Sequence, residues 1–189
     1  MDANEALNRL KEGNGRFVLG KPSQKDFTVM RAQFLSGQHP FVTVLSCSDS
    51  RIVPEYIFDA GLGEIFTVIN AGNIASDFVS LGSIEYGVGH LHTPLLVVMS
   101  HENCGAIAAT CACKGASEEG HIKDIVKAIG PIAKKHDYDA DKCVMNCMRE
   151  TVKDFPQKSE IVKKLVDDGK LKIVAAYYSM TTGKVRFFE

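Results

Sequence analysis

The chain has 189 residues, of which 45% are hydrophobic and 24% charged, and its formal net charge is −1. These values fit one globular domain with a substantial core and argue against a basic surface for nucleic acid. Its six cysteines are too few for the disulfide framework of a small secreted protein, in which cysteine exceeds roughly 8% of the residues. We therefore expect reduced thiols that bind a metal, take part in chemistry or fill space.

The beginning of the chain is polar and lacks the basic region and apolar segment of a secretion signal. The longest apolar run, Pro94–Met99, is much shorter than the about 20 residues that span a bilayer. We therefore expect a cytoplasmic protein that has neither a membrane nor a nucleic acid as its partner.

The N-terminal part of the chain, residues 3–17 and then Phe27–Leu35, has apolar residues at helical spacing. Four short apolar and β-branched runs predict buried strands, at 41–46, 65–70, 95–100 and 171–178. Helical patterns separate or precede these strands, at 80–91, 123–129, 142–153 and 159–166. A turn then leads to a predicted edge strand, 184–188. The pattern favours an α/β fold, a mostly parallel β-sheet of four core strands plus an edge strand, flanked by helices and preceded by an N-terminal helical arm.

Chemically active residues follow two of the predicted strands. The first strand leads into Cys47-Ser48-Asp49-Ser50-Arg51, and the third leads into His101-Glu102-Asn103-Cys104-Gly105. Functional groups gather at the carboxyl ends of parallel strands, so Cys47, His101 and Cys104 converge if these two strands are neighbours. Two thiolates and an imidazole are a plausible zinc ligand set with one open position. The alternative is a group of unrelated buried residues, because free cysteine is commonly buried.

Asp49 lies on the same predicted loop as Cys47 and could occupy the fourth position of a metal there. Arg51 can bind that carboxylate through two hydrogen bonds and hold it off the metal. A water could then take the open position, where zinc would lower its pKa, and Asp49 could accept its hydrogen bond. The alternative is an ion pair on a surface loop without a function.

At these residues the sequence resembles the β-class carbonic anhydrases, whose two zinc-ligand signatures are C-x-D-x-R and H-x-x-C. The resemblance implies one zinc ion per chain, held by Cys47, His101 and Cys104, with Asp49 and Arg51 as the catalytic pair. It also implies the activity of a carbonate dehydratase, the reversible hydration of CO₂ to bicarbonate and a proton by zinc-bound hydroxide.

Three further residues resemble those of the plant-type branch of that family. Gln38 stands nine residues before Cys47, Phe66 ends a Gly-Glu-Ile-Phe segment, and Tyr86 ends an Ile-Glu-Tyr segment. The resemblance implies that Gln38 donates to a substrate oxygen and that the two aromatic residues form an apolar cleft, partly from the neighbouring subunit. Gly105 would allow close backbone approach beside the metal. Phe66 and Tyr86 could instead be core residues, and Gln38 could belong to a turn.

The arm, residues 1–38, has an apolar stripe for which the predicted sheet core offers no partner. In the family this arm packs on a second subunit. We therefore expect residues 1–189 to form a single domain that assembles as a homodimer or a higher homo-oligomer.

Two other functions are compatible with the sequence. A hydrolase of carbonyl sulfide or carbon disulfide would use the same scaffold, because both substrates are linear analogues of CO₂. A non-catalytic protein for zinc storage or thiol redox chemistry would account for four cysteines that the signatures leave unexplained, Cys111, Cys113, Cys143 and Cys147. For these four we favour the interpretation of small buried thiols, because their spacing is not that of a C-x-x-C motif.

Overall fold

Five strands form one sheet in the computed structural model, which describes residues 1–116 and 119–189. They are β1 (Val42–Cys47), β2 (Ile65–Asn70), β3 (Leu95–His101), β4 (Lys172–Tyr178) and β5 (Val185–Phe188). Their order across the sheet is β2-β1-β3-β4-β5, with β1 to β4 parallel and β5 antiparallel to β4. The predicted α/β fold, with four parallel core strands and an edge strand, is confirmed.

Eight α-helices accompany the sheet in the described ranges. They are α1 (Ala3–Val18), α2 (Phe27–Gln33), α3 (Pro54–Ile57), α4 (Phe78–Glu85), α5 (Gly105–Ala112), α6 (Ile122–Lys135), α7 (Ala140–Lys158) and α8 (Glu160–Asp167). A π-helical turn, Tyr86–His90, continues α4. The sequence did not predict α3, because its four residues are too few to show a helical period. Over residues 1–116 and 119–189, none of the helices has the length and apolar character needed to cross a membrane.

The central strands are buried on both faces because helices cover both sides of the sheet. Every residue of β1 and of β3 is buried. Alternate residues point to opposite faces, so Val97 and Met99 join the core beneath α1, whereas Leu96 and Val98 join the core beneath α7 and α8. This continuous apolar composition is typical of strands in a parallel sheet.

Helix α1 packs on the sheet of its own chain, so the expectation that its apolar stripe lacks a partner there was wrong. Leu7 and Leu10 are at most 2% exposed and belong to the same core as β1 and β3. Gly13 allows this close approach, because a Cβ there would lie 1.9 Å from the carbonyl oxygen of Phe58. The side chain of Asn14 adds a bond from its Nδ2 to the carbonyl oxygen of Gly183, at 2.9 Å.

Helix α2 differs from α1 in its packing. None of its seven residues is buried within the described part of the chain. Phe27 and Val29 are 52% and 60% exposed. The packing of this part of the arm on a second subunit stays a prediction.

Candidate metal centre and active site

The carboxyl ends of β1 and β3 bring the two chemically active segments together. The strands are hydrogen-bonded neighbours, with Ser46 opposite Met99, so the predicted adjacency is confirmed. Cys47 ends β1 and His101 ends β3, while Cys104 directly precedes α5. All three side chains therefore start from the same edge of the sheet.

The side chains of Cys47, His101 and Cys104 form a compact and fully buried group. One potential ligand atom from each lies within 4.8 Å of the other two, and no other such group of three occurs among residues 1–116 and 119–189. The two sulfur atoms are 3.9 Å apart. The residues are 4%, 0% and 2% exposed, respectively. Two thiols and an imidazole at these separations are the donor types that zinc prefers.

The imidazole of His101 has one nitrogen bonded and one free. Its Nδ1 lies 2.9 Å from the carbonyl oxygen of Glu102. Because a carbonyl can only accept, Nδ1 carries the proton and Nε2 is left as an acceptor. Nε2 is buried and has no hydrogen-bond partner within the described ranges. A buried acceptor without a partner is costly, and a cation held between it and the two thiols would satisfy it.

The two thiols of the group are hydrogen-bonded to each other. The hydrogen bond to Cys104 lowers the pKa of Cys47, although burial opposes this, and the N–H of Gly72 adds a hydrogen bond of 3.3 Å to the same sulfur. The pKa of Cys104 is raised by its hydrogen bond to the Cys47 sulfur and by burial. A dication would favour the thiolate form of both residues.

Asp49 and Arg51 form a bidentate ion pair beside this group. The Nε of Arg51 donates to Oδ1 at 2.8 Å and its Nη2 donates to Oδ2 at 2.8 Å. The backbone N–H of Arg51 also donates to Oδ1, at 3.1 Å. These bonds hold the pKa of Asp49 well below its usual range, although partial burial opposes the shift. The carboxylate is therefore ionised and fixed in orientation.

Phe66 and Tyr86 contact each other but lie at the other end of the strands. Their ring centroids are 5.9 Å apart. In the sheet register Phe66 is opposite Thr43, four residues before Cys47 and therefore about 13 Å from it along the strand. The aromatic pair of one chain is thus separated from the group of Cys47, His101 and Cys104 in the same chain.

The other two predicted substrate-binding residues lie at the surface. Gly105 begins α5 directly after Cys104 and is exposed, and a Cβ there would meet no atom of the described residues within 4 Å. A small ligand therefore has room to approach this backbone beside the group. Gln38 is exposed in the segment between α2 and β1.

The loop after β2 contributes residues that the sequence analysis did not identify. The N–H of Gly72 donates to the Cys47 sulfur. A Cβ added at Gly72 would lie only 2.9 Å from the Cδ1 of Ile129. Asn70 shapes the loop, because its side chain accepts from the N–H of Ile74 and donates to the carbonyl of Ile74, both at 2.7 Å. The turn-forming sequence Asn-Ala-Gly-Asn after the strand is the signal that would have pointed to this loop.

Three of the four remaining cysteines are buried, and the Sγ of the fourth, Cys113, donates to the carbonyl oxygen of Thr110 at 3.4 Å. Cys111, Cys143 and Cys147 are buried in the apolar cluster that also contains Cys47 and Cys104. Burial raises the pKa of Cys143 and of Cys147 to about 12. Thiols with such pKa values are poor nucleophiles, which supports the interpretation of these residues as core side chains.

Comparison with known proteins identifies the family. A family model described as carbonic anhydrase matches residues 42–185. Carbonic anhydrase 2 of Mycobacterium tuberculosis is 37% identical over 186 residues, which cover 95% of this chain and 89% of that protein. This chain belongs to the β-carbonic anhydrase family. Membership makes it an enzyme of the carbonic anhydrase, or carbonate dehydratase, type.

Solved structures of β-carbonic anhydrases share the fold. That of CafA from Aspergillus fumigatus covers 98% of this chain and 90% of its own, with a TM-score of 0.78 at 22% identity. A tetrameric β-carbonic anhydrase from Sordaria macrospora covers 85% of this chain and 86% of its own, with a TM-score of 0.74 at 18% identity. At these identities the likeness concerns the fold.

Proposed function

We propose that this β-carbonic anhydrase is a zinc enzyme that interconverts CO₂ and bicarbonate. The observation that carries the proposal is the buried group of two thiols and an unpartnered imidazole nitrogen. Cys47, His101 and Cys104 would hold one zinc ion per chain. Because three protein ligands leave one position open, the site has the composition of a catalytic zinc site.

Two features of the chain would partly offset the cost of the charged thiolates that zinc requires. Cys104 is the N-cap residue of α5, and the positive end of a helix dipole stabilises a thiolate. Gly72 donates to the sulfur of Cys47. When bound, zinc supplies a Lewis acid that makes water a competent nucleophile near neutral pH.

Asp49 is the group that would orient the nucleophile. Its carboxylate is ionised and has one oxygen bonded to Nε and the other to Nη2 of Arg51. Each carboxylate oxygen has a further lone pair, so Asp49 can still accept a hydrogen bond from the reacting water. Arg51 keeps the carboxylate in place and prevents it from acting as a fourth metal ligand. The pair thus aligns the water without blocking the site.

Gly105 and Gln38 would provide hydrogen-bond donors for the substrate. The exposed backbone of Gly105 lies at the start of α5, where N–H groups have no partner within the helix. These groups suit a bicarbonate oxygen. Gln38, which the resemblance assigns to a substrate oxygen, would contribute an amide donor.

We propose that Phe66 and Tyr86 serve the site of a second subunit. They are too far from Cys47 to form a cleft over the metal of their own chain. Tyr86 is 46% exposed, and on the adjoining helix Phe78 is 95% exposed. Exposed aromatic residues of this size are typical of an interface. A homodimer is the smallest assembly that would complete the site, and the Sordaria relatives are described as tetrameric.

The proposal is tested by metal analysis together with parallel activity assays. We expect one zinc per chain and a specificity constant for CO₂ well above those for carbonyl sulfide and carbon disulfide. A higher constant for either sulfur compound would instead support the hydrolase on the same scaffold. Stoichiometric zinc without any turnover, at every pH at which the protein stays folded, would indicate a storage protein.

A further inference from the structure

We propose that Glu102 is a positioning residue that fixes the imidazole of His101 through the turn between β4 and β5. The proposal rests on the zinc site proposed above and concerns a side chain that the ligand signatures leave undefined. Glu102 lies between the two signature residues His101 and Cys104. Its carboxylate is directed to a part of the chain almost eighty residues further on.

Both carboxylate oxygens of Glu102 are bonded to the β4–β5 turn. Oε2 accepts from the hydroxyl of Ser179 and from the N–H of Thr181, each at 3.0 Å. Oε1 accepts from the hydroxyl of Thr181 at 2.9 Å. Three hydrogen bonds thus attach the carboxylate to this turn, and neither of its oxygens is left without a partner.

The main chain of Glu102 holds the metal-binding imidazole. Its carbonyl oxygen accepts from Nδ1 of His101 at 2.9 Å, which selects the tautomer with Nε2 free. Its N–H donates to the carbonyl oxygen of Tyr178 at 2.9 Å. The next residue, Asn103, has φ of 56°, so the chain turns sharply toward Cys104 directly after this peptide. A rotation of the Glu102 peptide would therefore move the imidazole and the second thiol together.

The hydrogen bonds of the Glu102 carboxylate oppose rotation of the Glu102 peptide. The turn has two hydrogen bonds of its own. The N–H of Gly183 donates to the carbonyl of Ser179 at 2.8 Å, and the N–H of Ser179 donates to the carbonyl of Lys184 at 2.9 Å. Glu102 thus ties the loop that carries two of the proposed ligands to a second, independently hydrogen-bonded turn. Groups that orient a metal ligand in this way typically change metal affinity by about 10- to 100-fold when they are removed.

The test measures zinc affinity and not activity alone. Glu102→Gln and Thr181→Val are titrated against a competing chelator, and the cobalt-substituted proteins are compared by visible absorption. We expect Glu102→Gln to bind zinc about 10- to 100-fold more weakly. Thr181→Val, which keeps the backbone N–H bond and the Ser179 bond, should weaken zinc binding less, and both variants should show an altered cobalt spectrum. Both substitutions act on the same contact between Glu102 and the turn. We therefore expect the double variant to bind zinc no more weakly than the single variant with the lower zinc affinity.

Controls separate this proposal from the zinc site itself and from loss of folding. Thr182→Val alters the same turn at a hydroxyl that accepts from Lys184, and it should bind zinc as the wild type does. Thermal unfolding of the metal-free variants shows whether the fold is retained. A wild type that binds no zinc would overturn the proposed ligand set. A wild type that binds zinc, with affinity and cobalt spectrum unchanged in Glu102→Gln and Thr181→Val, would overturn the role of Glu102.

Discussion

Arg51 and Asp49 meet through two parallel hydrogen bonds of 2.8 Å, one from Nε to Oδ1 and one from Nη2 to Oδ2. Arg51 is 57% exposed at its side chain, whereas Asp49 is only 16% exposed. The guanidinium therefore lies on the solvent side and the carboxylate faces the interior. The arrangement holds a negative charge next to the proposed metal ligands without requiring it to bind the metal.

Replacement of this carboxylate should separate zinc binding from turnover. We expect Asp49→Ala to keep one zinc per chain and to lose about 100- to 10,000-fold in CO₂ hydration, the usual range for a positioned proton-handling group. Stopped-flow hydration and metal analysis of the same preparation measure both quantities. Arg51→Lys should also lose activity, because an ammonium cannot reproduce the bidentate geometry. The loss should be smaller than in Asp49→Ala, because the carboxylate itself remains. Near-wild-type hydration by zinc-loaded Asp49→Ala would contradict the proposed role.

Replacement of a proposed zinc ligand should instead remove the zinc itself. We expect Cys104→Ser to lose most of its zinc, because a hydroxyl is a much weaker zinc ligand than a thiolate. Cys143→Ser is the matched control, since Cys143 is also a buried thiol of the same apolar cluster but is not one of the proposed zinc ligands. It should keep its zinc. Full occupancy in Cys104→Ser, measured by metal analysis after dialysis, would refute the ligand assignment.

The sequence allowed the sheet and the convergence of Cys47, His101 and Cys104 to be predicted because both depend on short patterns. Continuous apolar runs identified β1 and β3, and the strand-end rule placed Cys47 beside His101. Partners that are distant in the chain could not be predicted in this way. The apolar stripe of α1 shows that one face is covered but not by which surface, so its packing on its own sheet was not foreseen. The hydrogen bonds that Thr181 donates to Glu102 likewise depend on how β3 and β4 align.

The buried Asp59 connects the arm to the body of the protein. Its carboxylate is 1% exposed and accepts from Nε of Arg16 at 2.5 Å, from Nζ of Lys25, and from the N–H of Ser23 at 2.9 Å. Burial raises the pKa of Asp59, but these bonds outweigh it and the net shift is downward. Its φ of 47° is left-handed, a conformation that asparagine tolerates. Asp59→Asn therefore removes the charge with little change in the backbone.

We expect Asp59→Asn to lower the free energy of unfolding by about 2 kcal/mol at neutral pH, as for loss of a charged hydrogen-bonding partner. Because the folded pKa is depressed, the ion contributes stability above the ordinary carboxyl pKa of 3.8 and loses it as the pH falls toward the folded value. The difference from wild type in urea unfolding should therefore shrink below about pH 4. Asp167→Asn, which breaks an exposed pair with Lys163, should cost much less than Asp59→Asn, because an ion pair exposed to water contributes little. A constant Asp59→Asn difference down to strongly acidic pH would contradict this assignment.

The separation of Tyr86 from the proposed zinc ligands of its own chain predicts complementation between subunits. Asp49→Ala and Tyr86→Ala should each be impaired as homodimers. A mixed dimer would contain one intact site, because the Tyr86→Ala chain supplies Asp49 and the Asp49→Ala chain supplies Tyr86. Random mixing should therefore restore about a quarter of the wild-type activity. Tyr86 is half-exposed, so its removal should cost little stability.

A second mixture provides the control for this experiment. Asp49 and Cys104 are supplied to each site by the same chain. In the mixed dimer of Asp49→Ala and Cys104→Ser every site therefore lacks one of these two side chains, and no CO₂ hydration activity should be recovered. Recovery is measured by CO₂ hydration after the two proteins are unfolded and refolded together. If the Asp49→Ala and Tyr86→Ala mixture is no more active than its separate components, the aromatic pair does not serve a partner's site. In that case the exposed face of Tyr86 would have to be explained by a different contact.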